Sequence, residues 1–214
     1  MTPEEIGKLL QPYIQPPPEG GGTSVAPIDW PRIYKQLAQY LELILKWNAS
    51  INLTAIRTPE EVVRRHFGES LFVGLRLGGC STLLDYGSGA GFPGIPIQLV
   101  RPDVEVTLAE SRSRKAIFLH EVNRTIRIRA TVWPNRVEDM PLARRFHTVA
   151  LRAVDDMDAA VLEAGCRATD RVLILGTSRQ LIYPGLSRNF RMADPIPLPE
   201  SGESVLLTAL CRTE

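Results

Sequence analysis

The sequence predicts an α/β fold, a mostly parallel sheet with covered faces, preceded by a small helical cap. Three observations carry this. After Gly78-Gly79, short β-type runs alternate with helical ones, the grammar of βαβ units. Before that point the periodic segments are helical, with apolar residues at i, i+3 and i+4. The first β-type run leads straight into a glycine-rich turn, Gly87-Ser88-Gly89-Ala90-Gly91-Phe92-Pro93-Gly94, and an open α/β sheet holds its ligand at such a carboxyl end.

The 214 residues suffice for one domain with an appendage, and three segments are predicted. Residues 1–28 form a flexible head, because Pro16-Pro17-Pro18-Glu19-Gly20-Gly21-Gly22 resists both helix and sheet. Residues 29–78 form the helical cap. Asp29 can cap a helix with Pro31 in its first turn, and Ile33, Leu37, Tyr40, Leu41, Ile44 and Leu45 give it an apolar stripe to near Trp47. A second helix starts at Thr58-Pro59-Glu60-Glu61, with Thr58 as cap, Pro59 at the first helical position and Glu61 closing a capping box. Its inner face is Val62, Val63, His66, Phe67, Ser70 and Leu71. Residues 79–214 form the sheet domain, with strands expected at 82–86, 104–109, 130–133, 147–151, 171–175 and 205–211 and helices at 115–124 and 156–168. The Pro-rich, poorly periodic stretch 176–204 is expected to be an excursion ahead of the last strand.

Composition narrows the class. Hydrophobic residues at 44% and charged residues at 23% exclude a disordered, collagenous or membrane-bundle chain. No apolar run approaches the ~18 to 20 residues of a bilayer span, and the opening Met1-Thr2-Pro3-Glu4-Glu5 is acidic where a secretory leader is basic. Cys80, Cys166 and Cys211 form no CxxC pair, which suits reduced thiols; a cytoplasmic protein without membrane contact is expected. His120 and His147 have no metal-ligand spacing, so no metal site is expected. Residues 101–152 hold eleven basic and six acidic residues, a net +5. They form either a polyanion-facing surface or a solvated arginine-rich helix face, and the interleaved acids keep both open.

Two ligand templates fit the glycine turn. Gly89-x-Gly91-x-x-Gly94, with Glu110 twenty-one residues after Gly89, matches a dinucleotide fingerprint. Asp85-x-Gly87-x-Gly89-x-Gly91 equally matches the S-adenosylmethionine loop, where an acid closing the second strand also holds ribose. The prolines discriminate, because Pro93 and Pro96 each remove an N–H from the helix turn that a pyrophosphate would need. A phosphate-free ligand loses nothing there. Glu110 can serve a ribose diol and Phe92 an adenine ring, so methyl transfer is favoured over the alternative, an NAD(P)-dependent oxidoreductase.

The residues then reveal a resemblance. Trp47-Asn48-x-x-Ile51-Asn52-Leu53-Thr54-Ala55-Ile56, Arg65-His66-x-x-Glu69-Ser70, the run Gly87 to Pro96, Arg136-Val137-Glu138 and Arg152-Ala153 occur in this order. Over residues 29–214 the chain resembles the bacterial small-subunit (16S) ribosomal RNA guanine-N7 methyltransferases of the RsmG/GidB family. The resemblance implies a Rossmann-like, class I S-adenosylmethionine-dependent methyltransferase fold with a seven-stranded sheet, one strand antiparallel. It implies S-adenosyl-L-methionine as cofactor, S-adenosyl-L-homocysteine as product, and a guanine of the decoding region of 16S ribosomal RNA in the small subunit as target; a monomer is expected.

By position, Asp85, Gly87, Gly89, Gly91 and Phe92 would surround the cofactor, Glu110 its ribose, and Val137 and Glu138 its adenine. Arg152 would lie beside the methyl donor or the guanine, as the candidate catalytic residue, orienting a carbonyl, phosphate or cofactor carboxylate. Asn52, Arg65 and His66, together with the cationic Arg112, Arg114 and Lys115, would meet RNA. Guanine N7 carries a lone pair and no proton, so no general base is expected. Two positions depart from the family pattern: Glu69 stands where aspartate is usual, and Leu175-Gly176-Thr177 where Leu-Lys-Gly is usual. The missing lysine motivates a third reading, a ribosome assembly factor without turnover.

Overall fold

The computed structural model describes residues 1–15, 27–177, 183 and 190–212. The Pro16 to Gly22 run lies outside the described residues, as does part of the 176–204 excursion.

The strands are β1 (Thr82–Tyr86), β2 (Glu105–Ala109), β3 (Thr131–Trp133), β4 (Phe146–Arg152), β5 (Ala168–Thr177), β6 (Phe190–Met192), β7 (Ile196–Pro197) and β8 (Ser204–Cys211). They form one sheet in the order β3-β2-β1-β4-β5-β8-β6, with β7 also paired to β8. Pairs among β1 to β5 are parallel, and β8 runs antiparallel to β5, β6 and β7. Among the described residues the sheet thus has eight strands, one more than the seven expected. The addition is the two-residue β7, where Pro197 limits further pairing.

Alternation through the sheet explains its burial. Leu83 and Leu84, both fully buried, point to opposite faces of β1 and enter two separate cores. One core gathers the cap helices, α5 (Gly94–Val100) and α6 (Ser113–Ile126); the other includes α7 (Met157–Arg167). Connections run outward from β1 in both directions, so the order reverses between β1 and β4 and opens a crevice at their carboxyl ends.

Residues 1–15 are not the flexible head expected. Thr2 and Glu5 make a reciprocal capping box (2.7 and 3.2 Å) that starts α1 (Pro3–Leu10), and Ile6, Leu10 and Tyr13 are buried in the first core. The low-complexity run that follows had masked this start signal. Next comes α2 (Trp30–Ile51), a turn longer than expected, capped by Asp29 and ended by Asn52 in the left-handed conformation. The second cap helix is continuous through α3 (Pro59–Glu61), a π-helical segment (Val62–Gly68) and α4 (Glu69–Gly74). Thr58 caps it, but the expected box is incomplete: the Glu61 carboxylate accepts from the Thr58 hydroxyl (2.8 Å) and not from backbone.

Candidate cofactor and nucleic-acid site

Gly87, Gly89 and Gly91 all have positive φ (67°, 58° and 96°), a region only glycine enters freely. Their tasks differ. A Cβ on Gly89 would meet nothing nearer than the Gly87 carbonyl at 3.8 Å, so this position faces the open cleft. A Cβ on Gly91 would collide with Ile95 and lie 2.5 Å from the Tyr40 hydroxyl. Gly91 is therefore a packing glycine and, contrary to expectation, does not line the cleft.

Asp85 also differs from its expected cofactor role. Its side chain is fully buried behind the loop, where Oδ2 accepts from the Ser88 hydroxyl and from Gly94 N–H (2.9 Å). It braces the turn instead of reaching the cleft. Burial pushes its carboxyl up to about 6 against the pull of those two hydrogen bonds. The same bond settles the dinucleotide template. At the start of α5, Gly94 N–H is committed to Asp85, Ile95 N–H to the Gly91 carbonyl (2.9 Å), and Pro93 and Pro96 have none. No first-turn donor is left for a pyrophosphate.

Glu110 follows β2 and is clamped at both oxygens, by Gly89 N–H (2.9 Å) and Arg112 N–H (2.7 Å). Two backbone bonds hold a carboxylate that still has acceptor capacity toward the cleft, which suits a diol. Val137 and Glu138 line the same end, and Glu138 accepts from the Tyr86 hydroxyl (2.9 Å). Tyr86 was not foreseen as a site residue; burial and the Glu138 carboxylate push its hydroxyl up.

Arg167 was missed as well. Only 1% exposed, it donates to the carbonyls of Pro141 (2.8 Å), Met140 (3.1 Å) and Val137 (3.3 Å) and pairs with Glu163 (2.7 Å). It thereby fixes the loop bearing Val137 and Glu138. Arg167→Met is expected to cost about 2 to 4 kcal/mol of stability and to weaken cofactor binding roughly tenfold with kcat unchanged. Urea titration and calorimetry check this, and an unaltered Kd would reduce Arg167 to a stabilising role alone.

The cap forms the opposite wall. Arg152, at the end of β4, donates to the Arg65 carbonyl (2.8 Å) and to Glu69 Oε2 (2.7 Å). The His66 ring stacks on Phe92 (4.5 Å between centroids, 17° apart), and His66 Nε2 bonds the Thr54 hydroxyl at 2.7 Å. Burial, then the Arg152 and Arg65 charges, lower His66 to about 2, so its ring is neutral. Phe92 touches the cleft but is 6% exposed, its ring engaged by His66 and Tyr40, so it is mainly a wall and not the adenine platform expected. Asn52 is an exposed helix terminus outside the cleft; Asn48 and Thr54 shape that loop instead, with Asn48 Oδ1 accepting from Thr54 N–H at 3.0 Å.

Of the basic residues expected to meet RNA, Arg65, Arg112 and Lys115 reach the cleft and Arg114 does not. Other arginines of the basic block serve the fold: Arg101 is 2% exposed and bonded to the Leu77 carbonyl, and Arg145 donates to the Ala168 carbonyl. The cleft has a volume of about 780 Å³. A second hollow of about 740 Å³, between the start of α2 and the end of α6, contains none of the loop residues and is not the ligand crevice. Among the described residues there is no cluster able to hold a metal.

A sheet of this order, with a glycine loop open at Gly89, a clamped acid after β2 and no free amide in the first turn of α5, defines a class I methyltransferase fold whose crevice fits S-adenosylmethionine. Solved structures agree on the fold. A class I S-adenosylmethionine-dependent methyltransferase of Listeria monocytogenes matches at TM-score 0.62 and 9% identity, over 85% of this chain and 69% of that one. The tRNA (m1A58) methyltransferase TrmI of Aquifex aeolicus matches at 0.52 and 14%, over 68% of each. The chain belongs to the GidB family, rRNA small subunit methyltransferase G, whose model matches residues 33–176. Proteins named ribosomal RNA small subunit methyltransferase G are 38% identical in Nitrosomonas eutropha, over 61% of each chain, and 43% identical in Nitrosospira multiformis, over 61% of this chain and 60% of that one. The matched stretch spans about 61% of these relatives' length.

Proposed function

We propose that this chain transfers a methyl group from S-adenosylmethionine to N7 of a guanine in small-subunit (16S) ribosomal RNA. The amide-depleted start of α5 beside a doubly clamped Glu110, suited to a ribose diol, carries the cofactor half of this reading, and the GidB family match over residues 33–176 supports the RNA half. When bound, the cofactor supplies an electrophilic methyl carbon on sulfur. Gly89 leaves room for it, Glu110 accepts from its ribose, and Tyr86, Val137 and Glu138 border its adenine. Guanine N7 uses its own lone pair and releases no proton, so the chain has to align the acceptor and exclude water. Neutral His66 and the paired Arg152 fit that demand. Exposed Arg65, Arg112 and the half-buried Lys115 rim the cleft where an RNA backbone would pass.

No helix among the described residues is long and apolar enough to cross a membrane. The test is methyl transfer from labelled cofactor to small subunits lacking the modification, followed by mapping of the methylated base. Label at N7 of one guanine supports the reading. Label elsewhere, or none despite cofactor binding, overturns it; the second outcome favours an assembly factor.

A further inference from the structure

The cap wall contains three polar atoms that the fold leaves unmatched. Glu69 Oε1, Arg152 Nη1 and His66 Nδ1 are buried and have no hydrogen-bond partner among the described residues, although all three residues line the cleft. The side chains of Glu69 and Arg152 are 3% and 12% exposed. Arg65 Nε stands 3.8 Å from Oε1, beyond hydrogen-bond length. Buried polar atoms are paired in the great majority of cases, so three orphans on one wall point to a ligand. They are also set firmly. Arg152 is fixed by Glu69 and by the Arg65 carbonyl, and Arg65 and His66 belong to the π-helical segment that Glu69 directly follows, a geometry frequent at functional sites.

The sheet order says which part of the reaction they meet. Val137 and Glu138 follow β3, Glu110 follows β2, and the glycine loop follows β1. An adenosyl cofactor laid over these carboxyl ends crosses three strands spaced at about 4.8 Å. Arg152 lies one strand further, at the end of β4, facing the cap. That is the place of the methyl acceptor.

Resting on the reading proposed above, we infer that Glu69 and Arg152 together read the guanine. Arg152 Nη1 donates to O6, and Glu69 Oε1 accepts from N1–H and the N2 amine. Adenine reverses the two nearest of these groups, and uracil lacks a second donor next to its N–H, so the pair selects guanine. O6 adjoins N7, which places the arginine beside the reacting nitrogen without covering it. The methylated base gains a positive charge, and the Glu69 carboxylate both neutralises Arg152 and faces that charge.

The experiment uses the full chain, S-adenosylmethionine and unmodified small subunits. Glu69→Gln is expected to lower kcat/KM for subunits roughly 30- to 100-fold, the loss of a charged hydrogen bond, while the calorimetric Kd for S-adenosylmethionine stays within about twofold. Glu69→Asp keeps the carboxylate and is expected to restore most of the loss. Subunits carrying inosine at the target lack the N2 amine; they are expected to be poorer substrates for the parent chain and no worse for Glu69→Gln than guanine subunits. The inosine arm with the parent chain also decides the matter if Glu69→Gln does not fold, since equal turnover on inosine and guanine would overturn the assignment. A tenfold weaker cofactor Kd with unaltered subunit kinetics would hand the pair to the cofactor's amino-acid end and overturn it too, as would no change in either quantity. A parent chain that binds S-adenosylmethionine but methylates no subunit would remove the parent reading itself, and this assignment with it.

Discussion

Gly89→Val is expected to yield a folded chain that no longer binds S-adenosylmethionine, whereas Gly91→Val, two residues away, is expected not to fold. Both glycines have positive φ, which costs a side-chain-bearing residue about 1 to 2 kcal/mol. The difference lies in what the added atoms meet. At Gly89 the space is the cleft, so the protein loses only the local strain while the ligand loses its room. A loss of at least 100-fold in Kd is expected, about 2.7 kcal/mol. At Gly91 the branched side chain would overlap Ile95 and the Tyr40 hydroxyl, both buried, and Tyr40 is itself tied to the Ala90 carbonyl and stacked on Phe92. Overpacking added to backbone strain should exceed about 4 kcal/mol, a large part of a domain's stability. Calorimetry with S-adenosylmethionine and a thermal melt check the pair. An unchanged Kd for Gly89→Val would show that the ligand lies elsewhere, and a normal melt for Gly91→Val would show that the loop can move off its core.

The second large effect is on the pH dependence of stability, where two buried groups oppose each other. Asp85 titrates near 3.8 when unfolded and about 6 when folded. Its raised folded value means that its contribution is full below pH 4 and is lost as pH rises toward and through 6. His66 titrates near 6.5 unfolded and about 2 folded. Its contribution is therefore full above pH 6.5 and is lost as pH falls. Each slope is about 1.4 kcal/mol per pH unit. Between pH 4 and 6 the unfolded chain gains a proton at His66 while the folded chain gains one at Asp85, so the two slopes cancel. Asp85→Asn is expected to uncover a stability that climbs by about 1.4 kcal/mol per unit across that window, and His66→Gln is expected to uncover the reverse. Urea unfolding at half-unit intervals measures both. If Asp85→Asn keeps the parent's slope, the carboxyl is not held protonated behind the loop.

Much of the site was legible before any coordinates, and unevenly so. The strand ending at Tyr86, the glycine turn and Glu110 stood out because each is a local pattern of residue types. Pro93 and Pro96 could be counted as missing donors without knowing where the chain goes. The roles within that pattern could not be separated. Asp85 and Glu110 are both acids beside the loop, yet one is sealed beneath it and the other opens on the cleft. The N-terminal helix was hidden by the low-complexity run that follows it: its Thr2-Pro3-Glu4-Glu5 start is a standard cap, but only the fold shows Ile6, Leu10 and Tyr13 buried in the first core.

The sequence by itself determined the α/β alternation, the helical cap, the glycine loop and the preference for a phosphate-free ligand, because helix and strand periods, turn glycines and missing amides act over a few residues. Only the tertiary structure decided which glycine faces ligand and which faces core. It alone joined Arg152 to Glu69 across 83 residues, Tyr86 to Glu138 across 52 and Arg167 to Val137 across 30. Those pairings depend on the path that the strands take through the sheet, and a chain's route through space is set by the sum of its packing, not by any short stretch of its letters.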